Sequence, residues 1–154
     1  MTQCEQLRLR KAQANDLGIC MEIRGKTKDN PIDAQRLLEF GVTQEGWRAL
    51  MEVGEIIGSV IECDERVVGY CFANSHTGEI LVLAVHADFD GQGFGKASLT
   101  HCLKQMKDLG FKKVWLAASP NPLLRAYGFY RHLGWQATGR HDSHEDEILE
   151  YEFP

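Results

Sequence analysis

The stretch from Ile80 to Gly110 constrains the fold more than any other part of the chain. Ile80-Leu81-Val82-Leu83-Ala84-Val85 is an unbroken apolar run that suits a central strand buried on both faces. It leads into a glycine-rich turn, Asp90-Gly91-Gln92-Gly93-Phe94-Gly95. A helix follows, with Leu99, Cys102, Leu103, Met106 and Leu109 forming one stripe and Gly110 ending it. Glycines permit positive φ and close backbone approach, so successive N–H groups can point into one concavity. The positive end of the helix dipole stands behind them, and such a turn suits a pyrophosphate. Two nucleotide-binding patterns fail here. There is no G-x-x-x-x-G-K-[ST], and the G-x-G-x-x-G of dinucleotide folds is broken by Ser98.

The remaining elements build a mixed α/β sheet flanked by helices. Leu7-Arg8-Leu9-Arg10 alternates as a first strand, and Asn15-Asp16 opens a helical region. Up to about Gly54, Ile19, Ile23, Leu37, Leu38, Trp47, Leu50 and Met51 fall at helical spacings, with breaks near Asn30-Pro31 and Gly41. Two or three short helices are expected. Ile56 to Ile61 and Val67 to Phe72 flank Asp64-Glu65-Arg66 as an antiparallel hairpin, and Thr77-Gly78 turns into the central strand. After α-helical residues up to Gly110, Val114 to Ala118 is a further buried strand. Ser119-Pro120-Asn121-Pro122 breaks it before a helix carrying Ala126, Phe129, Tyr130 and Leu133 on one face. Two last strands lie near Trp135 to Arg140 and Ile148 to Phe153. No repeat or linker interrupts the 154 residues, so a single domain over 1–154 is expected.

Seventeen Lys and Arg against 22 Asp and Glu give a net charge of -5, and the basic residues are scattered. Nucleic acid is therefore not an expected partner. No apolar run approaches the roughly 20 residues of a membrane span. Met1-Thr2-Gln3-Cys4-Glu5 lacks a basic segment followed by an apolar one, and the expected location is the cytoplasm. Five dispersed cysteines without C-x-x-C are expected to be reduced and mostly packed, with neither a disulfide framework nor a zinc site. His141-Asp142-Ser143-His144 reads as a solvated connector, so no metal is expected.

Two segments together make the sequence resemble the GNAT superfamily of acetyl-CoA-dependent N-acetyltransferases. Val85-His86-Ala87-Asp88-Phe89-Asp90-Gly91-Gln92-Gly93-Phe94-Gly95 follows that family's V-x-P then [QR]-x-x-G-x-[GA] pattern in register. Ala126-Tyr127-Gly128-Phe129-Tyr130 with Gly134-Trp135 follows its A-x-x-F-Y and closing G-[FW]. There are departures. Ala87 replaces the usual proline, Asp90 stands where Gln or Arg is common, and the asparagine that often opens the later helix is displaced to Asn121. An aspartate beside a pyrophosphate is repulsive unless its side chain turns outward.

The resemblance implies a mostly antiparallel sheet of about seven strands, flanked by helices and splayed between the fourth and fifth. It implies acetyl-CoA as co-substrate, with the pantetheine arm pairing with backbone near Leu83 and Val85. Gln92, Gly93, Phe94, Gly95 and Lys96 would cradle the pyrophosphate, mainly through amides. Tyr130 occupies the position of the family's general acid, which protonates the leaving thiolate. Glu79, ahead of Ile80 to Val85, resembles the glutamate that serves as base in the histone acetyltransferase branch. His86 is the rival base because an imidazole titrates near neutrality, and a water relay is a third route. The acceptor is a small-molecule or protein amine, walled by the helices between about Asn15 and Gly54. Arg24, Lys28, Asp29, Asn30 and Trp47 lie there without naming the amine. The family often pairs subunits, which leaves a homodimer open. The competing reading is a non-catalytic acyl-CoA-binding regulatory module with the same fold.

Overall fold

The computed structural model describes residues 4–29 and 31–154; Met1 to Gln3 and Asn30 lie outside the described residues. The strands are β1 (Leu7–Lys11), β2 (Ile56–Cys63), β3 (Arg66–Asn74), β4 (Ile80–Val85), β5 (Lys113–Ala118), β6 (Gln136–His141) and β7 (Glu147–Glu152). The helices are α1 (Leu17–Arg24), α2 (Ala34–Glu39), α3 (Gln44–Glu52), α4 (Phe94–Asp108) and α5 (Arg125–His132). The order agrees with the sequence reading, and the β2–β3 hairpin turns at Asp64 and Glu65, both with positive φ, as a two-residue loop requires.

The strands form two antiparallel sheets, β1-β2-β3-β4 and β5-β7-β6. Between β4 and β5, which neighbour one another side by side, the one bridge recorded among the described residues joins Glu79 to Trp115 in parallel sense. The splay between the fourth and fifth strands is therefore present.

Alternation along the strands divides the first sheet's two faces. Tyr70, Phe72, Val60 and Ala84 pack against Leu17, Cys20 and Ile23, the buried stripe of α1. On the opposite face Cys71 and Ala73 meet Leu99, Cys102 and Met106 of α4, and this cluster continues into Val114, Leu116, Trp135 and Leu149 of the second sheet. Cys71 and Cys102 are thus core residues. Leu109 departs from the expected stripe: it is the C-cap of α4 and 57% exposed.

The expectation of uniformly reduced thiols is corrected for one pair. Cys4 and Cys63 are joined, across a sequence separation of 59, whereas Cys20, Cys71 and Cys102 are free. Pairing of β1 with β2 sets Leu7 opposite Cys63, which brings the chain just before β1 to that thiol.

An ion-pair network fixes α1 on the sheet. Arg10 of β1 donates through both terminal nitrogens to Asp16, each at 2.9 Å, and through Nε to Glu62 of β2 at 2.6 Å. The Gln13 amide also donates to Asp16 at 2.7 Å. Burial alone would raise the Asp16 pKa, but the Arg10 and Gln13 hydrogen bonds outweigh it and hold the carboxyl below its ordinary value. Asp16→Ala should cost on the order of 3 kcal/mol by chemical denaturation at neutral pH, because it leaves Arg10 partly uncompensated. A carboxyl with a depressed folded pKa stabilises above its unfolded value and loses that contribution as pH falls through the folded one. The gap between wild type and variant should accordingly close under acid; a gap that persists there would remove the carboxylate from the account.

Candidate active site

The site is organised by the gap between β4 and β5. His86 donates its amide to Val68 of β3 at 2.9 Å, and Ala84 pairs with Tyr70. Since backbone groups alternate along a strand, those of Leu83 and Val85 face the other edge, into the gap. An extended ligand could pair with them as an added strand.

At the open end, the turn before α4 is held by aromatic packing. Phe89 and Phe94 are buried, stacked at 6.4 Å and packed on Ile61 and Val68. Phe94 therefore offers the loop only its backbone. Between these two anchors Gly91 (φ 77) and Gly93 (φ 82) adopt the left-handed conformation that lets the chain curl over the helix end. Gly93 is the N-cap and no side chain caps it. The first-turn amides, Phe94, Gly95 and Lys96, precede any residue that could accept from them within the helix. The Lys96 side chain lies along an outer groove with Leu9, Thr100, His101 and Lys104, on the side of α4 facing β1.

Asp90 is held from the α5 side by Arg125, and its carboxylate also accepts a hydrogen bond from the Gly91 amide of the same turn. Arg125, the first residue of α5, donates to its two carboxylate oxygens at 2.7 and 3.0 Å and through Nε to Asp29 at 2.6 Å. Lys28 lies 3.9 Å from Asp90. The Arg125 hydrogen bond is the largest influence on the Asp90 carboxyl and holds its pKa below the ordinary range. This clamp joins three separate segments, and its arginine had no motif to reveal it.

Tyr130 sits where α5 leans on the gap. Its ring is edge-on to Phe129 (5.1 Å) and Trp135 (5.7 Å) and packs on the cluster containing Cys71, Leu83 and Leu116. Burial pushes its pKa up, and the Cys71 thiol and the Arg24 guanidinium act on it electrostatically. The phenol thus keeps its proton at neutral pH. Arg131 steadies α5 by donating to Glu147 of β7 at 2.5 Å.

Glu79 lies at the closed end of the gap, next to the bridge to Trp115. Burial raises its pKa, and Asp142, brought over by the β6–β7 connection, raises it further. His86 has a local structural job: its Nδ1 accepts the Asp88 amide at 3.0 Å, capping a single helical turn.

A cavity of about 180 Å³ opens on the α1 face of the sheet. Its walls include Leu17, Met21, Trp47, Phe72, Leu81 and Val82, with Arg24 and Tyr70 as polar members. Leu81 and Val82 both line it although neighbours on a strand normally face opposite ways. The register shift between the Phe72 and Ala73 pairings inserts an extra residue in β4 there, and a bulge re-aims the side chains. Of the residues noted in the helical region between about Asn15 and Gly54, Arg24 and Trp47 line this cavity, Lys28 and Asp29 lie on the Asp90 side, and Asn30 is outside the described residues. Among the described residues no group of three or more His, Cys, Asp and Glu side chains converges as a metal site.

Comparison with known proteins bears on this geometry. The chain is 28% identical over 120 residues to proteins named amino-acid acetyltransferase from Yersinia pseudotuberculosis and Yersinia pestis. That alignment covers 75% of this chain and 24% of theirs, so the chain spans about a quarter of those relatives. Its fold matches the PaiA N-acetyltransferase of Thermoplasma acidophilum, crystallised with coenzyme A, with a TM-score of 0.79 at 17% identity, covering 96% of this chain and 99% of the other. An N-acetyltransferase from Staphylococcus aureus superposes with a TM-score of 0.71 at 14% identity over 97% and 98% of the two chains. Residues 21–135, which carry the splayed strand, the glycine turn and Tyr130, match the acetyltransferase (GNAT) family, and the chain belongs to that family.

Proposed function

We propose that the protein transfers the acetyl group of acetyl-CoA directly to an amine within a ternary complex. One arrangement carries this reading: the backbone groups of Leu83 and Val85 face the gap beside β4, the turn at Gly93 has no side-chain cap, and the protonated phenol of Tyr130 packs on the same core cluster as Leu83. Gln92, Gly93, Phe94, Gly95 and Lys96 would hold the pyrophosphate through backbone amides, with the helix dipole favouring the anion. The pantetheine arm would lie against Leu83 and Val85, so that the thioester is oriented before the amine arrives. A strand amide pointing into the gap would polarise the thioester carbonyl as charge develops on its oxygen.

Three proton movements complete the reaction. The acceptor enters as an ammonium and must lose a proton to become a nucleophile. Glu79 supplies the base in this proposal, through water, because its raised pKa brings it nearer to neutrality. The amine nitrogen attacks the carbonyl carbon, the C–S bond breaks, the thiolate takes the proton of Tyr130, and the second proton that the new amide nitrogen sheds returns to the phenolate. The non-catalytic reading drew on Asp90, and the Arg125 clamp weakens that support, since the carboxylate is neutralised.

Tyr130→Phe should lower kcat by about a hundredfold while leaving acetyl-CoA affinity by calorimetry nearly unchanged. Unaltered kcat at saturating co-substrate would remove Tyr130 from the chemistry.

Glu79 acts as a base only when ionised, so turnover should rise as pH climbs through its elevated pKa. Asp142→Asn removes a neighbouring negative charge, which should move this acid limb to lower pH. Glu79→Gln should abolish the limb. If the profile is the same in all three proteins, the base lies elsewhere.

Arg125→Ala uncovers the Asp90 charge beside the phosphate turn and should weaken acetyl-CoA binding about tenfold. Adding Asp90→Asn should recover most of that loss. Recovery is the informative result, because plain disruption of α5 would not be repaired by the second substitution.

A further inference from the structure

We infer that the acceptor is a small α-amino acid with an apolar side chain, its carboxylate bound by Arg24 and its side chain lodged in the cavity of the α1 face. The inference rests on the acetyl transfer proposed above and deepens it by naming the class of amine.

The cavity excludes several acceptors by its chemistry. Its described lining contains no Asp or Glu, so a polyamine or a many-charged aminoglycoside would bring cations to an apolar wall without counter-charges. A second carboxylate on the side chain would fare no better among Leu17, Trp47 and Phe72. The volume suits a compact apolar group. A cavity of about 150 Å³ lined by aliphatic and aromatic side chains accommodates benzene, and this one measures about 180 Å³. Trp47 stands edge-on to Phe72 at 5.6 Å, which offers a phenyl or branched alkyl group both a ring face and a ring edge.

Position argues for an α-amino acid in particular. Arg24 is the last residue of α1, half-buried, and its guanidinium presents a planar fork that matches a carboxylate. It lies within electrostatic reach of both Tyr70 and Tyr130. In an α-amino acid the amine is separated from the carboxylate by a single carbon. A carboxylate held by Arg24 would therefore keep the amine close to that guanidinium, at the wall where Leu81 and Val82 of β4 lie, while the side chain points away into the cavity. An amine far from its carboxylate, as on a lysine side chain, could not satisfy both ends.

The cavity's outer wall supports a free small molecule. Ile32, Leu37 and Val42, on and around α2, close it on that side. Of the apolar side chains of α2 only Leu37 is partly buried, and Leu38 is 55% exposed, so this wall is thinly packed. A ligand's apolar body would complete that packing.

The test measures thiol release from acetyl-CoA with L-phenylalanine, L-leucine and L-methionine, with their carboxamides, and with L-glutamate, spermidine and a lysine-containing peptide. Acetyl-CoA affinity is measured by calorimetry in parallel. The expected result is turnover with the apolar amino acids and at least a tenfold lower kcat/KM with each carboxamide. Arg24→Gln should raise KM for the free acids about tenfold and leave the carboxamides nearly unaffected. Carboxamides equal to acids, or a preference for glutamate, spermidine or the peptide, would overturn the acceptor assignment while leaving acetyl transfer intact. Binding of acetyl-CoA with no turnover on any of these amines would overturn it too. Failure to bind acetyl-CoA at all would instead overturn the underlying reading of the groove. The carboxamide comparison needs no variant, so a poorly folded Arg24→Gln protein would not blunt it.

Discussion

The interruption of strand pairing between β4 and β5 is the constraint from which the rest of the site follows. Backbone N–H and C=O groups are obligatory hydrogen-bonding groups, and a central strand with one edge unpaired is costly unless water or a ligand satisfies it. Here pairing stops at Glu79 and Trp115. Phe129 and Tyr130 of α5 pack on the same core cluster as Leu83 of β4, and that cluster includes Leu116 of β5. In the proposed reaction the structural and chemical demands on Tyr130 would coincide: its ring packs α5 on the core, and burial keeps the proton on its phenol.

Charge is distributed along the gap in a way that the net value of -5 conceals. The open end carries an uncapped helix terminus, and its nearest aspartate is spent on Arg125. The closed end carries Glu79 and Asp142, where mutual repulsion and burial favour a proton. Arg24, half-buried at the end of α1, adds a cation on the α1 face of the sheet, where it lines the apolar cavity.

The elements around the gap are tied to one another by contacts among the protein's own side chains. Arg10 ties β1, α1 and β2 through Asp16 and Glu62, and so fixes the helix that ends in Arg24. Phe89 and Phe94 anchor the two flanks of the glycine turn. Arg131 ties α5 to β7. By contrast α2 has no buried residue and leaves Leu38 55% exposed. In the proposed reaction it would form an adaptable acceptor wall beside a fixed transfer site.

The order of elements, the central strand, the glycine turn and the A-x-x-F-Y helix were legible in the chain, because each is encoded within a window of a few residues: periodicity of apolar side chains, glycine where φ turns positive, and a motif at fixed spacing. Arg125 was not legible, since its partners Asp29 and Asp90 are distant in sequence and nothing local marks the meeting. Asp142 likewise comes near Glu79 only through the β6–β7 connection. Cys4 and Cys63 looked like two isolated thiols because their proximity depends on the register of β1 on β2. The apolar cavity needed the β4 bulge, which turns Leu81 and Val82 to one side against the simple alternation that a strand pattern implies. Local backbone preferences thus specified what the elements are and where the glycine turn lies. Packing and strand register, which couple residues far apart along the chain, decided which charges face each other and where the apolar cavity opens.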